Sequence, residues 1–271
     1  MRRSTTIALL VLGAAACGVS TQQEVQLGMQ EAQQVNQQLP VVADAEINRY
    51  INVLGDSIAR LTSRADLEWH FAVVNTNVIN AFALPGGYVY VNRGVIERAD
   101  RLDELAGVMG HEIGHVVLRH SVKQMEQMQT ANIGVGLACV LTNVCQSGLG
   151  QAAINVGGTL VFAKFSREDE KQADEDGFRN VMRAGISPKG MVTFFGKLLQ
   201  EEQSQGANSQ GANSWFTDHP LTQDRITDIQ NLISRTDPAI INSLSEDTQG
   251  FHAFKQRVHA LPAPPPTQKG Q

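Results

Sequence analysis

From Leu102 the chain places apolar residues at Leu105, Val108, Met109, Ile113, Val116 and Val117, at helical intervals and with no proline until far downstream. A helix must therefore run through "HEIGHV". Both histidines then lie mid-helix. Residues four apart on a helix differ by about 40° around the axis and by one turn along it, which aims the imidazoles of His111 and His115 at one point. That geometry suits two corners of a tetrahedral zinc. Glu112 falls on the flank, able to reach a metal-bound water without displacing it, where a general base would stand. The same pattern also occurs by chance as the polar stripe of an amphipathic helix, so support has to come from elsewhere in the chain.

Catalytic zinc keeps three protein ligands and one open position. A third histidine six residues beyond the second is one common arrangement, and Ser121 occupies that place here. His120, five residues past His115, is expected to point away, as a surface or packing histidine. A glutamate from a second helix is the other solution. In "SREDEKQADEDG", Glu170 and Asp174 stand four apart on one face, so one could bind a metal while the other accepts the N–H of a ligand histidine. Spacing alone leaves open a charged helix with neither role.

Around this pair of segments the chain reads as an α+β protein, mainly helical, with a small β-sheet and the HExxH helix at its centre. Residues 22–38 carry apolar positions at helical spacing. "DAEINRYINVLGDSIARL" sets Ile47, Tyr50, Ile51, Leu54, Ile58 and Leu61 on one face. "LEWHFAVVN" alternates as a strand, and "AFALPGGYVYVNRG" forms a hairpin about Pro85, Gly86 and Gly87. Ser166 caps the charged helix, Ser187 and Pro188 open another, and a further helix starts at Thr222. The tandem "QGANSQGANS" reads as a pliable loop.

With 42% hydrophobic and 18% charged residues the composition is globular. The net charge of −5 comes with no basic cluster, which excludes nucleic acid as a partner. Arg2 and Arg3 precede a short apolar run and small residues before Cys17, the layout of a lipoprotein-type signal over residues 1–16, with Ala14 where Leu is usual. The small residues before Cys17 resemble a bacterial lipobox, which implies acylation of Cys17 and a membrane anchor, with plain secretion as the alternative; by the same resemblance Gly18 after the cysteine implies the outer rather than the inner membrane of a periplasmic protein. The expected domains are the signal at 1–16, one domain at 17–260 and a proline-rich disordered tail at 261–271. Cys139 and Cys145 would pair in an oxidising compartment. Six residues of helix rise about 9 Å, beyond the roughly 7 Å span of a disulfide, so a bridge needs a break near Thr142 and Asn143, and two buried thiols are the alternative. The uncharged stretch between Gln127 and Ala163 reads as buried or lid helices, being too interrupted to span a membrane.

"HEIGHV", then "SREDEKQADEDG", then "WFTDHPLTQDRI", in that order, resemble the zinc metallopeptidase family that includes the heat-shock membrane protease HtpX and the CAAX prenyl protease, in particular its soluble periplasmic lipoprotein branch. The likeness extends from about Asn80 to Ile226. It implies a zincin-like domain with one Zn2+ per chain bound by His111, His115 and Glu170, and Glu112 as base and proton shuttle. It implies further that Asp174 supports a ligand histidine and that Arg225 orders the site by charge pairing. His219 would stabilise the oxyanion or, in a closed state, cap the zinc. "NAFALPGG" would lead into an edge strand that takes up extended substrate by strand addition. The expected activity is zinc-dependent endoproteolysis of unfolded or misassembled envelope proteins. A chaperone-like or scaffold lipoprotein with little proteolysis is the alternative, and an integral membrane prenyl-type protease is disfavoured by the lack of a long apolar run.

Overall fold

The computed structural model describes residues 18–127, 165–205 and 219–264. The signal segment with Cys17, the cysteines at 139 and 145, the uncharged stretch, all but the first residue of the tandem repeat and residues 265–271 lie outside the described residues. Among the described residues no helix is long and apolar enough to cross a membrane.

Helix α1 spans Thr21–Gln38 and opens on a capping box between Ser20 and Gln23. Helix α2 spans Ala45–Ala59, with the Asp44 carboxylate accepting from the backbone N–H groups of Glu46 and Ile47. Leu61, expected on the apolar face of α2, lies past its end and is exposed. Three strands follow, β1 (His70–Val74), β2 (Ala81–Leu84) and β3 (Tyr88–Asn92), in the spatial order β1-β3-β2. β1 runs parallel to β3, and β2 pairs antiparallel with it as the expected hairpin. Gly86 and Gly87 turn that hairpin at φ 76° and 105°, a conformation costly for residues bearing a Cβ.

Alternation of side chains explains how so small a sheet serves two cores. Phe71, Val73, Val89 and Val91 join the main core, whereas Val74, Phe82, Leu84 and Tyr90 pack with Ala32 and Val35 of α1. Phe82 and Tyr90 are cross-strand partners with stacked rings 5.0 Å apart. β2 forms one edge of the sheet.

The chain then makes a short helix α3 (Arg93–Arg98) and the central helix α4 (Leu102–Val117), buried along its whole length. A helix with apolar or small residues on every side belongs in a core. Its acidic first turn, Asp103 and Glu104, suits a helix N-terminus, and Lys197 neutralises Glu104 at 2.6 Å. Helix α5 (Arg167–Arg183) has the predicted Ser166 cap, and helix α6 (Lys189–Gln205) begins directly after Pro188. Helices α7 (Gln223–Arg235), α8 (Pro238–Ser243) and α9 (Gln249–His259) follow. α3, α8 and α9 were not legible in the sequence, the first two because one or two turns carry too little periodicity. α9 buries Phe251, Phe254 and Val258, and Phe254 stacks on Tyr50 of α2 at 4.3 Å.

One contact governs everything that follows. Helices α4 and α5 approach so closely that a Cβ placed on Gly177 would lie 2.8 Å from the backbone carbon of Gly110, and one on Gly114 would lie 2.8 Å from the carbonyl oxygen of Ala173. Small residues on both helices let the backbones meet, and that brings the carboxylates of α5 onto the histidine face of α4.

Candidate metal centre

α4 contributes His111, Glu112 and His115, all buried. α5 contributes Glu170 in its first turn and Asp174 one turn later, both buried. His219 arrives from the segment before α7, whose start is held by the Thr222 hydroxyl accepting from the Arg225 N–H. Among the described residues, one donor atom from each of His111, His115, Glu170 and His219 falls within 4.8 Å of the others. His111 Nε2 lies 3.0 Å from His115 Nε2 and 3.2 Å from His219 Nδ1. Glu170 Oε1 is 3.3 Å from His115 Nε2 and 3.0 Å from His219 Nδ1. Glu112 stands beside this focus, its Oε1 3.6 Å from His219 Nε2.

The outer nitrogens are held as well. Asp174 Oδ1 lies 2.8 Å from His111 Nδ1. Arg225 clamps that carboxylate with two hydrogen bonds, Nε and Nη2 donating at 2.7 Å each. The same guanidinium pairs with Glu170 and lies over the Phe195 ring at 5.2 Å. The expected charge-pairing place of Arg225 is thus where the guanidinium stands.

His120 differs from expectation. It is buried, and its Nδ1 is 3.0 Å from His115 Nδ1. A continued helix would have carried it away, but α4 ends at Val117 and Arg119 adopts φ 58°. That left-handed residue, where glycine or asparagine is usual, swings the chain so that His120 returns beneath His115. Arg119 is held there by Glu24 of α1, with Nε donating at 2.8 Å. Nothing local in the sequence announces this turn, and the side chain that ends it is gripped by a helix about a hundred residues earlier.

The electrostatics match a cation at the focus. Burial opposes ionisation of Glu170, but the imidazoles of His219 and His111 outweigh it and hold the carboxyl far below the usual carboxylate range. Burial likewise opposes charge on His111, yet the carboxylates of Glu170 and Asp174 raise it to about 9. His115 goes the other way, pushed well below its ordinary value by burial. Three buried carboxylates, Glu112, Glu170 and Asp174, face one buried guanidinium, so with the imidazoles neutral, the form that binds a metal, the site carries an excess of two negative charges that would be very costly in a dry interior. A divalent cation cancels that excess and satisfies the converging nitrogen and oxygen lone pairs together. The donor set, imidazole and carboxylate, is one that zinc accepts.

A mainly helical α+β fold whose histidine helix is crossed by a carboxylate helix at such a focus is zincin-like and defines the class of metallopeptidases. Residues 45–233 match Peptidase family M48, and the chain belongs to that family. It is similar to the Beta-barrel assembly-enhancing protease of Escherichia coli, 31% identical over 249 residues that make up 89% of this chain and 49% of that protein. Metalloprotease LoiP of the same organism is 32% identical over 169 residues, 61% of this chain and 63% of that protein. The Mitochondrial metalloendopeptidase OMA1 of Schizosaccharomyces pombe is 29% identical over 181 residues, 67% and 51% respectively. The chain thus spans about half the length of the assembly-enhancing proteases it matches.

Proposed function

We propose that the chain is a zinc-dependent endopeptidase of envelope protein quality control, with residues 17–260 as its metallopeptidase domain and one zinc held by His111, His115 and Glu170. The observation that carries this is the buried convergence of those three side chains with Glu112 beside them. When bound, the metal supplies Lewis acidity. Glu112 takes the proton of the attacking water and passes it to the leaving amine. Asp174, braced by Arg225, keeps the His111 Nδ1–H in place so that Nε2 is free to bind. His219 donates to the developing oxyanion, a contribution of about 3 kcal/mol by comparison with other such donors. At rest His219 is a fourth donor that caps the site, and the segment carrying it moves aside when substrate enters; its Nδ1 contacts with Glu170 and His111 support that role. Edge strand β2 takes up the extended substrate backbone.

The substrates are unfolded or misassembled proteins, in keeping with the name of the assembly-enhancing relatives. The signal-like segment at 1–16 and acylation of Cys17 would place the enzyme in the periplasm on the outer membrane. The test is metal content and degradation of casein for wild type, His111→Ala, Glu112→Gln, Glu170→Ala and His219→Ala. Glu112→Gln is expected to keep zinc and lose turnover, and the two ligand variants to lose both. Full zinc in Glu170→Ala overturns the ligand set, and unchanged turnover in His219→Ala overturns the cap. Cellular function retained by Glu112→Gln would point instead to a chaperone-like role.

A further inference from the structure

Each ligand histidine of α4 has a partner on its outer nitrogen, and the two partners differ in kind. For His111 it is the Asp174 carboxylate. For His115 it is His120, whose Nδ1 faces His115 Nδ1 at 3.0 Å with the rings edge-on at 76°. Two ring nitrogens at that distance share one proton, so one must donate and the other accept.

The direction can be read from what lies behind His120. Its Nε2 is 3.4 Å from Gln172 Oε1 and 3.6 Å from Asp169 Oδ1, both on α5. The Gln172 amide is oriented by its other end, because Nε2 donates to Glu168 Oε1 at 2.8 Å. Its oxygen therefore faces His120. Asp169 is fixed in turn, since its Oδ2 accepts from the Ser166 hydroxyl at 2.6 Å in the capping box. Two acceptors at Nε2 call for a hydrogen on that nitrogen, which leaves Nδ1 of a neutral ring as an acceptor. His115 must then carry its hydrogen on Nδ1, and its Nε2 lone pair faces Glu170, His111 and His219.

We infer that His120 is a positioning residue for the metal: by accepting the Nδ1–H of His115 it fixes that ligand's tautomer and ring orientation. The inference rests on the zinc ligation proposed above. The left-handed turn at Arg119 fits it, since strained backbone persists where the surroundings impose it and a site makes use of it. It also gives α5 a second task. The helix that supplies Glu170 and Asp174 from one face supplies Gln172 and Asp169 from another, so a single helix sets both ligand histidines through different intermediaries.

Chelator-competition measurements of zinc affinity on the full chain separate the possibilities, with the melting temperature of each apoprotein as a check on folding. His120→Asn keeps an acceptor near the position of Nδ1, His120→Gln places its amide near Nε2 instead, and His120→Leu removes both. Loss of a group that supports a ligand histidine typically weakens metal affinity 10-fold to 100-fold. His120→Leu and His120→Gln are expected to weaken zinc by roughly that factor, with His120→Asn staying within about threefold of wild type. Should His120→Leu fail to fold, the Asn and Gln variants decide between them. Equal affinity in all variants overturns the role of His120 alone, as does a loss in His120→Asn as large as that in His120→Gln. Absence of zinc binding by wild type overturns the metal centre and this role with it.

Discussion

Adding one methyl group at Gly177 tests whether the α4–α5 contact sets the site. The new Cβ would lie 2.8 Å from the backbone carbon of Gly110 and 2.9 Å from the His111 nitrogen, where ordinary contact begins at 3.4 Å, so the helices must separate by about 0.6 Å. Both neighbours are backbone and cannot rotate away. Alanine is the better helix former by about 1 kcal/mol, whereas forcing a methyl into a packed contact costs about 2 kcal/mol, so Gly177→Ala should destabilise by about 1 kcal/mol. For a protein of this size that lowers Tm by roughly 3 °C. The functional loss should be larger, because a 1 Å displacement of catalytic groups can cost about 100-fold in rate, and Glu170 and Asp174 would move with α5. Turnover of an unfolded substrate should fall by about 10-fold to 100-fold. Gly196 on α6 is the control, since a Cβ there meets nothing within 4 Å; Gly196→Ala should raise stability by about 0.5–1 kcal/mol and leave turnover intact. Wild-type turnover in Gly177→Ala, or equal effects of the two variants, would refute the account.

Arg225→Lys keeps the charge but not the two-pronged grip on Asp174. Zinc affinity should fall about 10-fold, with a lower Tm, and unchanged affinity in a chelator competition would show that the clamp does not govern His111. A pH effect should arise far from the site, where a hydrogen bond from Arg257, aided by the Ile47 backbone N–H, holds the Asp44 carboxyl at about 2. The folded value lies below the unfolded value of 3.8, so this stabilisation is present above that value and disappears as pH falls toward 2. Asn still caps a helix, so Asp44→Asn should lower Tm at neutral pH, with the gap to wild type closing in acid; a gap that persists at pH 2 would contradict the assignment.

The central helix, its two converging histidines with the glutamate between them, the hairpin, the cap at Ser166 and the helix start near Thr222 were legible because each depends on local periodicity or on one capping residue. The pairing of Glu170 with Asp174 was suggested by spacing but not required by it, since a charged helix on the surface has the same pattern. His120 was misjudged for a definite reason. Extending α4 by five residues assumes helical geometry that Arg119 breaks, and the grip of Glu24 on Arg119 is a contact between distant parts of the chain.

By itself, then, the sequence determined which residue types stood ready for metal chemistry and which of them shared a helix, because side-chain direction repeats every turn. Tertiary structure alone decided that Glu170, Asp174, His219 and Arg225 close around that helix and that His120 turns back beneath it. Those outcomes depend on how near two backbones can come at Gly110 and Gly177 and on a strained residue held by a remote carboxylate, distances that no local pattern encodes.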